Sequence, residues 1–463
     1  MSTRLVVIGA GLAGLAAALR LAEEGRAPLL LETRKVVGGR ATSFDDVRSG
    51  STIDNCQHVV LSCCTHLLDF YERIGVLEQF DWHDELFWTA GRGEISAMTP
   101  GRLPAPAHFA TALKHLHVID NSDRKAIRRA MWKLVRKGST LRQQWRDRSF
   151  AEFLRELEQP KHAIDCFWRP IIISACNIDI DQCDAGYAMQ VFQEGFLRHR
   201  FGASMGLARV ALRELYEPAI RRIEASGGDV IPGVAAQSLS FDGSRITGVV
   251  TADGVINVSS VVSAVPFDRL GRLCSDALKK ADTRLHYLDE FDTSAILGVH
   301  LWYEHEVMAL PHLVVVDHDV QWLFNKGTDS RGWQHVHAVI SAADDWMQMS
   351  EDEIVHRIRS DVEDVIPKGR GLEPMDQRVI KERRATFACT PGIDAIRPGA
   401  TPHAVGAGGV RNLYLAGDWC DTGWPATMEG AVRSGYAAAG AIVERDMSVD
   451  DIPTGFLARM LRL

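Results

Sequence analysis

The chain has 463 residues, 46% hydrophobic and 24% charged, which is ample for a large core in two or three structural parts. Its formal net charge of −8 argues against bulk attraction to nucleic acid. The nine cysteines are an odd number, with no Cys-x-x-Cys or Cys/His pairing at metal spacing, so a complete disulfide framework is excluded, no metal site is indicated, and a reducing cytoplasm is expected.

The first predicted strand, Leu5 to Ile8, stands so near residue 1 that no signal peptide is expected. No apolar run reaches the ~20 residues of a spanning helix. "RLVVIGAGLAGLAAALRLAEEG" reads as strand, tight turn and helix. Gly9 permits the turn, Gly11 lets a pyrophosphate approach the backbone, and Gly14 lets helix and strand pack closely. The helix N-terminus then offers N–H groups and a partial positive charge to phosphates. "APLLLE" is the second strand, ending at Glu32 where a ribose-binding acid belongs. The alternative is an ordinary βαβ unit without a ligand; strand, motif, helix, strand and acid in that order weigh against it.

"ETRKVVGGR", Glu32 to Arg40, resembles the E-x-R-x-x-x-G-G-R element of the amine oxidase and phytoene desaturase flavoproteins. The resemblance implies FAD, with contacts from Gly9, Gly11, Leu12, Ala13, Gly14, Glu32, Thr33, Arg34, Gly38, Gly39 and Arg40. It implies that Val234 touches the adenine end. It also implies that the late strand "NLYLAGD" brings Gly417 and Asp418 to the ribityl and phosphate region, and that Met428, Glu429 and Ala431 pass beside the flavin. Ala431, Ser434, Gly435 and Ala437 to Ala439 are small enough for that last helix to lie close to its neighbours. The G-G-R element and late acid disfavour an NAD-dependent dehydrogenase.

The middle of the chain predicts a divided α/β architecture. Residues 1–65, 205–275 and 405–450 form a discontinuous Rossmann-like FAD-binding domain of the glutathione-reductase type. Residues 66–204 read as a mostly helical part facing substrate and membrane, with long amphipathic stretches such as "RKAIRRAMWKLVRKG". "SFDGSRITGVV" places an Asp-Gly turn between alternating strands. Residues 276–404, with "AILGVHLWY", "HLVVVD" and a helix near Glu351 to Val365, form a second, mixed sheet for substrate. Residues 451–463 make an amphipathic tail.

A narrower resemblance rests on "STIDNCQHVVLSCCTHLLDFYERIG", "RLPAPAHFATALKHL", "FWRPIIISACNID" and "GDWCDTGWPATMEGAVRSG". These are similar to the hydroxysqualene dehydroxylases of hopanoid biosynthesis. Asp54, Asn55, Gln57 and His58 match that family's D-N-G-Q-H stretch; Cys56 replaces its glycine. The implied reaction is reductive removal of an allylic hydroxyl, which needs a positioned acid because hydroxide leaves poorly. His58 and Asp54 are the candidates for acid supply, and Trp168, Trp419 and Trp424 for the substrate wall. Blander roles are a backbone hydrogen bond for His58, a turn cap for Asp54, and core packing for Trp168. The reaction also needs an external reductant, which the residues do not identify. An oxidative polyene desaturase, an amine oxidase and a non-catalytic flavin-binding protein remain as alternatives. A polyprenoid substrate implies a membrane surface, so a cytoplasmic, peripheral location at the inner face is expected. Two stretches could dock there. One has Ile127, Met131, Leu134 and Val135 on one helical face. The other has Phe456, Leu457, Met460, Leu461 and Leu463, with Arg459 and Arg462 turned away.

Overall fold

The computed structural model describes residues 3–47, 50–401, 408–461 and 463. Alternation of short apolar strands with glycine-marked turns builds two large sheets. The first has seven strands drawn from three distant stretches of sequence. Arg4–Ile8 lies between Pro28–Glu32 and Gly254–Ser263, parallel to both. Asp229–Pro232 extends it on one side. On the other side the hairpin strands Ser238–Phe241 and Ile246–Thr251 pair antiparallel, and Leu413–Leu415 joins Gly254–Ser263 in parallel. Pro28–Glu32 is buried at every residue, as a parallel strand covered on both faces should be.

The helix Leu12–Glu23 and the later helix Met428–Val443 pack against each other on this sheet. Their approach depends on Gly435. A β-carbon there would lie 2.3 Å from the Ala13 carbonyl oxygen and 3.0 Å from the Ala16 β-carbon. Glycine thus lets backbone meet backbone at this position, whereas Ala437, also read from the sequence as part of the close-packed set, is exposed.

The second sheet runs, edge to edge, through Asp376–Phe387, Thr293–Tyr303, Gln334–Ser341, Trp322–Thr328, His312–Val315, Leu86–Thr89 and Ser96–Met98. Its last two strands come from the region expected to be helical. The same region also supplies Phe80–His83, which joins Val59–Leu61 and Met205–Ala208 in a small three-stranded sheet. One face of the second sheet, with Leu297, Val299, Leu301 and Ala338, packs on the helix Glu351–Val365. The opposite face carries Ile296, Gly298, His300 and Trp302, and turns toward residues 55–59, where Cys56 packs with Phe324 and Val339. Period-two alternation divides the strand in this way.

The helix Asn121–Trp145 corrects one expectation. Ile127, Met131, Leu134 and Val135 are buried in the main core, so this apolar face has no surface left for a bilayer. The tail behaves differently. Phe456–Met460 is a short helix with Phe456 73% and Met460 67% exposed, whereas Leu461 and Leu463 pack inward. The expected boundary at 405, and Arg462, lie outside the described residues. Among the described residues no helix is long and apolar enough to cross a membrane.

Candidate active site

The glycine loop after Ile8 is a cradle in which side chains would collide. Gly9 has φ +98°, in the left-handed region that glycine tolerates. A β-carbon at Gly14 would stand 1.8 Å from the Gly9 carbonyl oxygen. The helix Leu12–Glu23 begins at Gly11 with no side-chain cap and no acid in its first turn, so its N-terminus is left for an anion. Leu12 and Ala13 are buried in that first turn.

Glu32 lies opposite. One carboxylate oxygen accepts the Ala10 N–H at 2.8 Å, the other accepts the Arg34 N–H at 2.8 Å. The acid thus holds the glycine loop against the strand end. Thr33 and Arg34 are exposed beside it. Val234 donates its N–H to the Glu32 carbonyl oxygen at 2.9 Å, which sets its side chain at the same end.

The G-G-R element folds back onto the glycine loop. Gly38 donates to the Ala10 carbonyl oxygen at 2.8 Å and pairs with Gly11 in an isolated parallel bridge. Gly38 and Gly39 have φ +105° and +62°. Asn55 fixes the exit, accepting the Thr42 N–H and donating to the Arg40 carbonyl oxygen. Cys56, where the resembling family has glycine, is not among the residues of positive φ, so cysteine fits without backbone strain. Burial pushes its thiol up to about 12.

Arg40 then forms an ion pair with Asp418, whose side chain is nearly buried. Gly417 has φ +148°, and its N–H donates to the Ser434 hydroxyl at 2.7 Å. Arg397 holds the loop beyond, donating to the carbonyl oxygens of Asp418, Cys420 and Trp424. Sequence reasoning missed Arg397, since nothing in local spacing marks a side chain that satisfies a distant loop.

Other expected residues divide. Met428 and Ala431 are half-buried on the helix beside this loop. The Glu429 side chain turns away and accepts the His66 and Leu67 N–H groups at 3.2 and 2.8 Å, capping the helix Thr65–Ile74. Trp424 is half-buried, with the Arg433 guanidinium 5.0 Å from its ring centre. Trp168 and Trp419 have no surface free for substrate. Trp168 is enclosed by Phe150, Phe167 and Phe192 and donates its indole N–H to Gln159. Trp419 is enclosed by Phe267 and Phe291 and donates to the Val265 carbonyl oxygen.

The two acid candidates also change character. Asp54 accepts from the Ser43 hydroxyl, from the Leu212 N–H at the start of a helix, and from Lys326 at 3.1 Å. Burial alone would raise its carboxyl, but Lys326 and these hydrogen bonds outweigh burial and hold it below the ordinary value. It is an anion and a helix cap, unsuited to giving a proton. His58 Nδ1 lies 3.1 Å from the Cys56 carbonyl oxygen. Burial, only partly opposed by that hydrogen bond, lowers its pKa, so the ring is neutral at pH 7 and is a weak source of a proton. Lys326, absent from the sequence reading, bridges Asp54 and the Gln57 side-chain oxygen.

The family profile for flavin-containing amine oxidoreductases matches residues 12–443. The chain belongs to this family. It is 30% identical to a hydroxysqualene dehydroxylase of Rhodopseudomonas palustris, over 96% of this chain and 99% of that protein. It is 25% identical to a 15-cis-phytoene desaturase of Synechococcus elongatus, over 96% of each. A solved putrescine oxidase shares its fold, with a TM-score of 0.71 and 17% identity over 96% of this chain and all of the other. This member is a flavin-dependent oxidoreductase, and its cofactor is FAD. The geometry fits that cofactor: a glycine cradle open at Gly11, an uncapped helix N-terminus, and an acid at the strand end. We propose that Gly9, Gly11 to Gly14, Glu32, Gly38 to Arg40 and Asp418 would hold it.

Proposed function

We propose that this oxidoreductase reduces hydroxysqualene to squalene at a membrane surface. The observation that carries this reading is the 30% identity to a hydroxysqualene dehydroxylase across nearly the full length of both chains. The net change is removal of a hydroxyl as water, at the expense of one proton and one hydride. Bound FAD, once reduced, supplies the hydride. The protein orients the allylic carbon, excludes water, and delivers the proton to the hydroxyl oxygen. Neither Asp54 nor His58 is suited to that last task, for the reasons given above.

The site face of the second sheet is largely apolar and aromatic, with Ile296, Trp322, Phe324 and Val339, which suits a hydrocarbon chain. A small cavity lined by Leu86, Met98, His108, Phe109, Ala112 and Phe196 opens on the helical part. The tail begins nearby: Gly455 donates to the Arg198 carbonyl oxygen, and Phe456 and Met460 project into solvent beyond it. Exposed apolar side chains with Arg459 on the same short helix suit the inner face of an anionic bilayer.

Oxidative polyene desaturation is the second reading, supported by the 25% identity to phytoene desaturase. Purified protein incubated with hydroxysqualene under reduction, and with phytoene under oxidation, separates the two. Squalene in the first reaction alone is the expected result; desaturated product in the second alone replaces the first reading by the second.

A further inference from the structure

Gly195 is a glycine that the backbone does not require. It is buried in the stretch Val191–Leu197, a π-helical turn closed by Arg198, whose N–H donates to the Gln193 carbonyl oxygen at 2.9 Å. Apart from its chain neighbours and its own helix backbone, nothing lies within 4 Å of the place its β-carbon would take. Its φ is not in the left-handed region. Other glycines with such room, Gly25, Gly75 and Gly227 among them, have a positive φ that favours glycine. Glycines required by a close approach, such as Gly202 and Gly435, would put a β-carbon within 2.7 Å of a carbonyl oxygen. Gly195 meets neither condition. Glycine inside a helix is less stable than alanine, and unfilled space beside it forfeits packing contacts. A side chain would remove both penalties, so the space is kept for something that is not part of the chain.

That space is an apolar cavity, with Leu86, Met98, Phe109, Ala112 and Phe196 beside Gly195 in its lining. Two charged groups border it. Asp84 is exposed and accepts from the Ser204 hydroxyl at 2.6 Å; the Arg200 guanidinium lies over the Phe201 ring. Asp84 also borders an open groove flanked by Trp82 and Phe201, both partly exposed, so cavity and groove adjoin. His108 in the wall is neutral at pH 7, because burial, and then Arg200 and His199, lower it to about 4.

The cavity stands between the tail and the cofactor side. Arg198, at the end of the π-helical turn, accepts the N–H of Gly455 at the head of the tail, and a β-carbon on Gly455 would be 3.3 Å from that of Ala105. Leu86 and Met98 pair on the edge strands of the second sheet. Trp88 pairs with Val314, which pairs in turn with Trp322. Alternation therefore puts Leu86, Trp88, Val314, Trp322 and Phe324 on one face. Phe324 packs on Cys56, next to the Asn55 that fixes Arg40. The strand of Phe324 is two strands from that of Leu86, roughly 10 Å away, a distance that one arm of a long isoprenoid spans.

We propose that this cavity seats one branched end of the polyprenoid substrate, and that Gly195 sets the depth of the seat. The proposal rests on the polyprenoid reading of the substrate and names a residue that determines specificity within it. An isoprenoid chain repeats the same unit and carries no charge, so its end is the feature from which a position along it can be counted. A seat at a fixed distance from the flavin selects the carbon that lies beside the flavin. The hydrophobic effect supplies the attraction.

Leucine has the branched shape of the chain's own end and should plug the seat. Gly195→Ala and Gly195→Leu should both keep FAD and melt at or above the wild-type temperature. Gly195→Leu should raise KM for hydroxysqualene by about 10- to 200-fold, with kcat changed less and Gly195→Ala in between. An analogue lacking the terminal methyl groups should recover part of the loss in Gly195→Leu. A second readout needs no turnover: radiolabelled squalene, presented in detergent micelles to the FAD-loaded protein, should be retained by wild type and not by Gly195→Leu. Equal retention by the two proteins, or wild-type KM in Gly195→Leu, overturns the proposal. So does a Gly195→Leu protein that melts lower or fails to fold, because the space would then not be there. If wild type retains squalene and Gly195→Leu does not, yet wild type makes none from hydroxysqualene, the seat stands and the dehydroxylation reading falls.

Discussion

Arg40 and Asp418, 378 positions apart in sequence, neutralise each other at the edge of the cofactor cradle. Asp418 is thus a carboxylate that stands near the expected phosphates without repelling them, because Arg40 cancels its charge. Removing the arginine should harm FAD retention more than removing the acid. Arg40→Ala takes away a cation and leaves a buried anion facing phosphate; Asp418→Ala takes away only a polar partner. Charged hydrogen bonds of this kind contribute about 1.5–3 kcal/mol, so losses of roughly 10- to 100-fold in affinity are expected for Arg40→Ala. FAD titration of the stripped proteins measures both. Equal affinities in the two variants would count against the neutralising role.

Gly435 should tolerate no side chain. Its β-carbon would meet the Ala13 carbonyl oxygen at 2.3 Å, and backbone cannot swing aside as a side-chain tip can. Gly435→Ala should cost about 1–3 kcal/mol and loosen FAD, because Ala13 belongs to the turn that receives it. Gly25, with nothing within 4 Å of its β-carbon position but a φ of +70°, gives a control for backbone strain without crowding. A Gly435→Ala protein with normal melting temperature and FAD content would remove the close approach as a constraint.

Three imidazoles, buried His300 and His337 and half-buried His335, set the acid side of the stability profile. A histidine whose folded pKa is depressed gives its full stability above the unfolded value of 6.5 and loses it as pH falls below that value toward the folded pKa. For His300 that window runs from 6.5 down to about 3. Each such group changes stability by about 1.4 kcal/mol per pH unit within its window. The denaturation midpoint should therefore fall steadily from pH 6.5 to 5, and His300→Gln should flatten the fall. Asp54, held below the ordinary carboxyl value of 3.8, acts lower: its contribution is lost only as pH drops below about that value. A midpoint unchanged between pH 7 and 5 would show that these rings are not buried neutral.

Binding to anionic liposomes should depend on the tail alone. Phe456, Leu457 and Met460 are exposed apolar groups there, whereas Ile127, Met131, Leu134 and Val135 of Asn121–Trp145 are buried. Protein ending before Gly455 should stay in the supernatant, and intact protein should sediment at low salt and less so at high salt. Equal sedimentation of the two proteins would move the membrane contact elsewhere.

The glycine turn was legible because its geometry is written in neighbouring residues. Gly9, Gly11, Gly14 and Glu32 owe their roles to spacing within one βαβ unit, and spacing is what a sequence displays. Contacts between distant strands were not legible. His300 and His337 meet only because two antiparallel strands pair in one register, and Lys326 meets Asp54 across 272 positions. His58 and Asp54 were found by resemblance, yet their protonation follows from burial and from Lys326, which no local motif encodes. The strands Leu86–Thr89 and Ser96–Met98 were read as part of a helical stretch because runs so short carry little periodicity of their own. Trp168 and Trp419 show the same limit: a tryptophan beside a motif has no visible direction until the packing is known.

The meeting of Gly435 with Ala13 also fixes when the protein becomes functional during its manufacture. The ribosome releases the glycine loop first and the helix that braces it only after nearly all of the intervening chain, an interval on the order of tens of seconds. During that interval the nucleotide loop lacks both its bracing helix and the Asp418 partner of Arg40. FAD capture is therefore a late event, coupled to the arrival of residues 413–443. Nascent or prematurely ended chains should be colourless, so yellow colour in a cell extract reports chains synthesised through that helix.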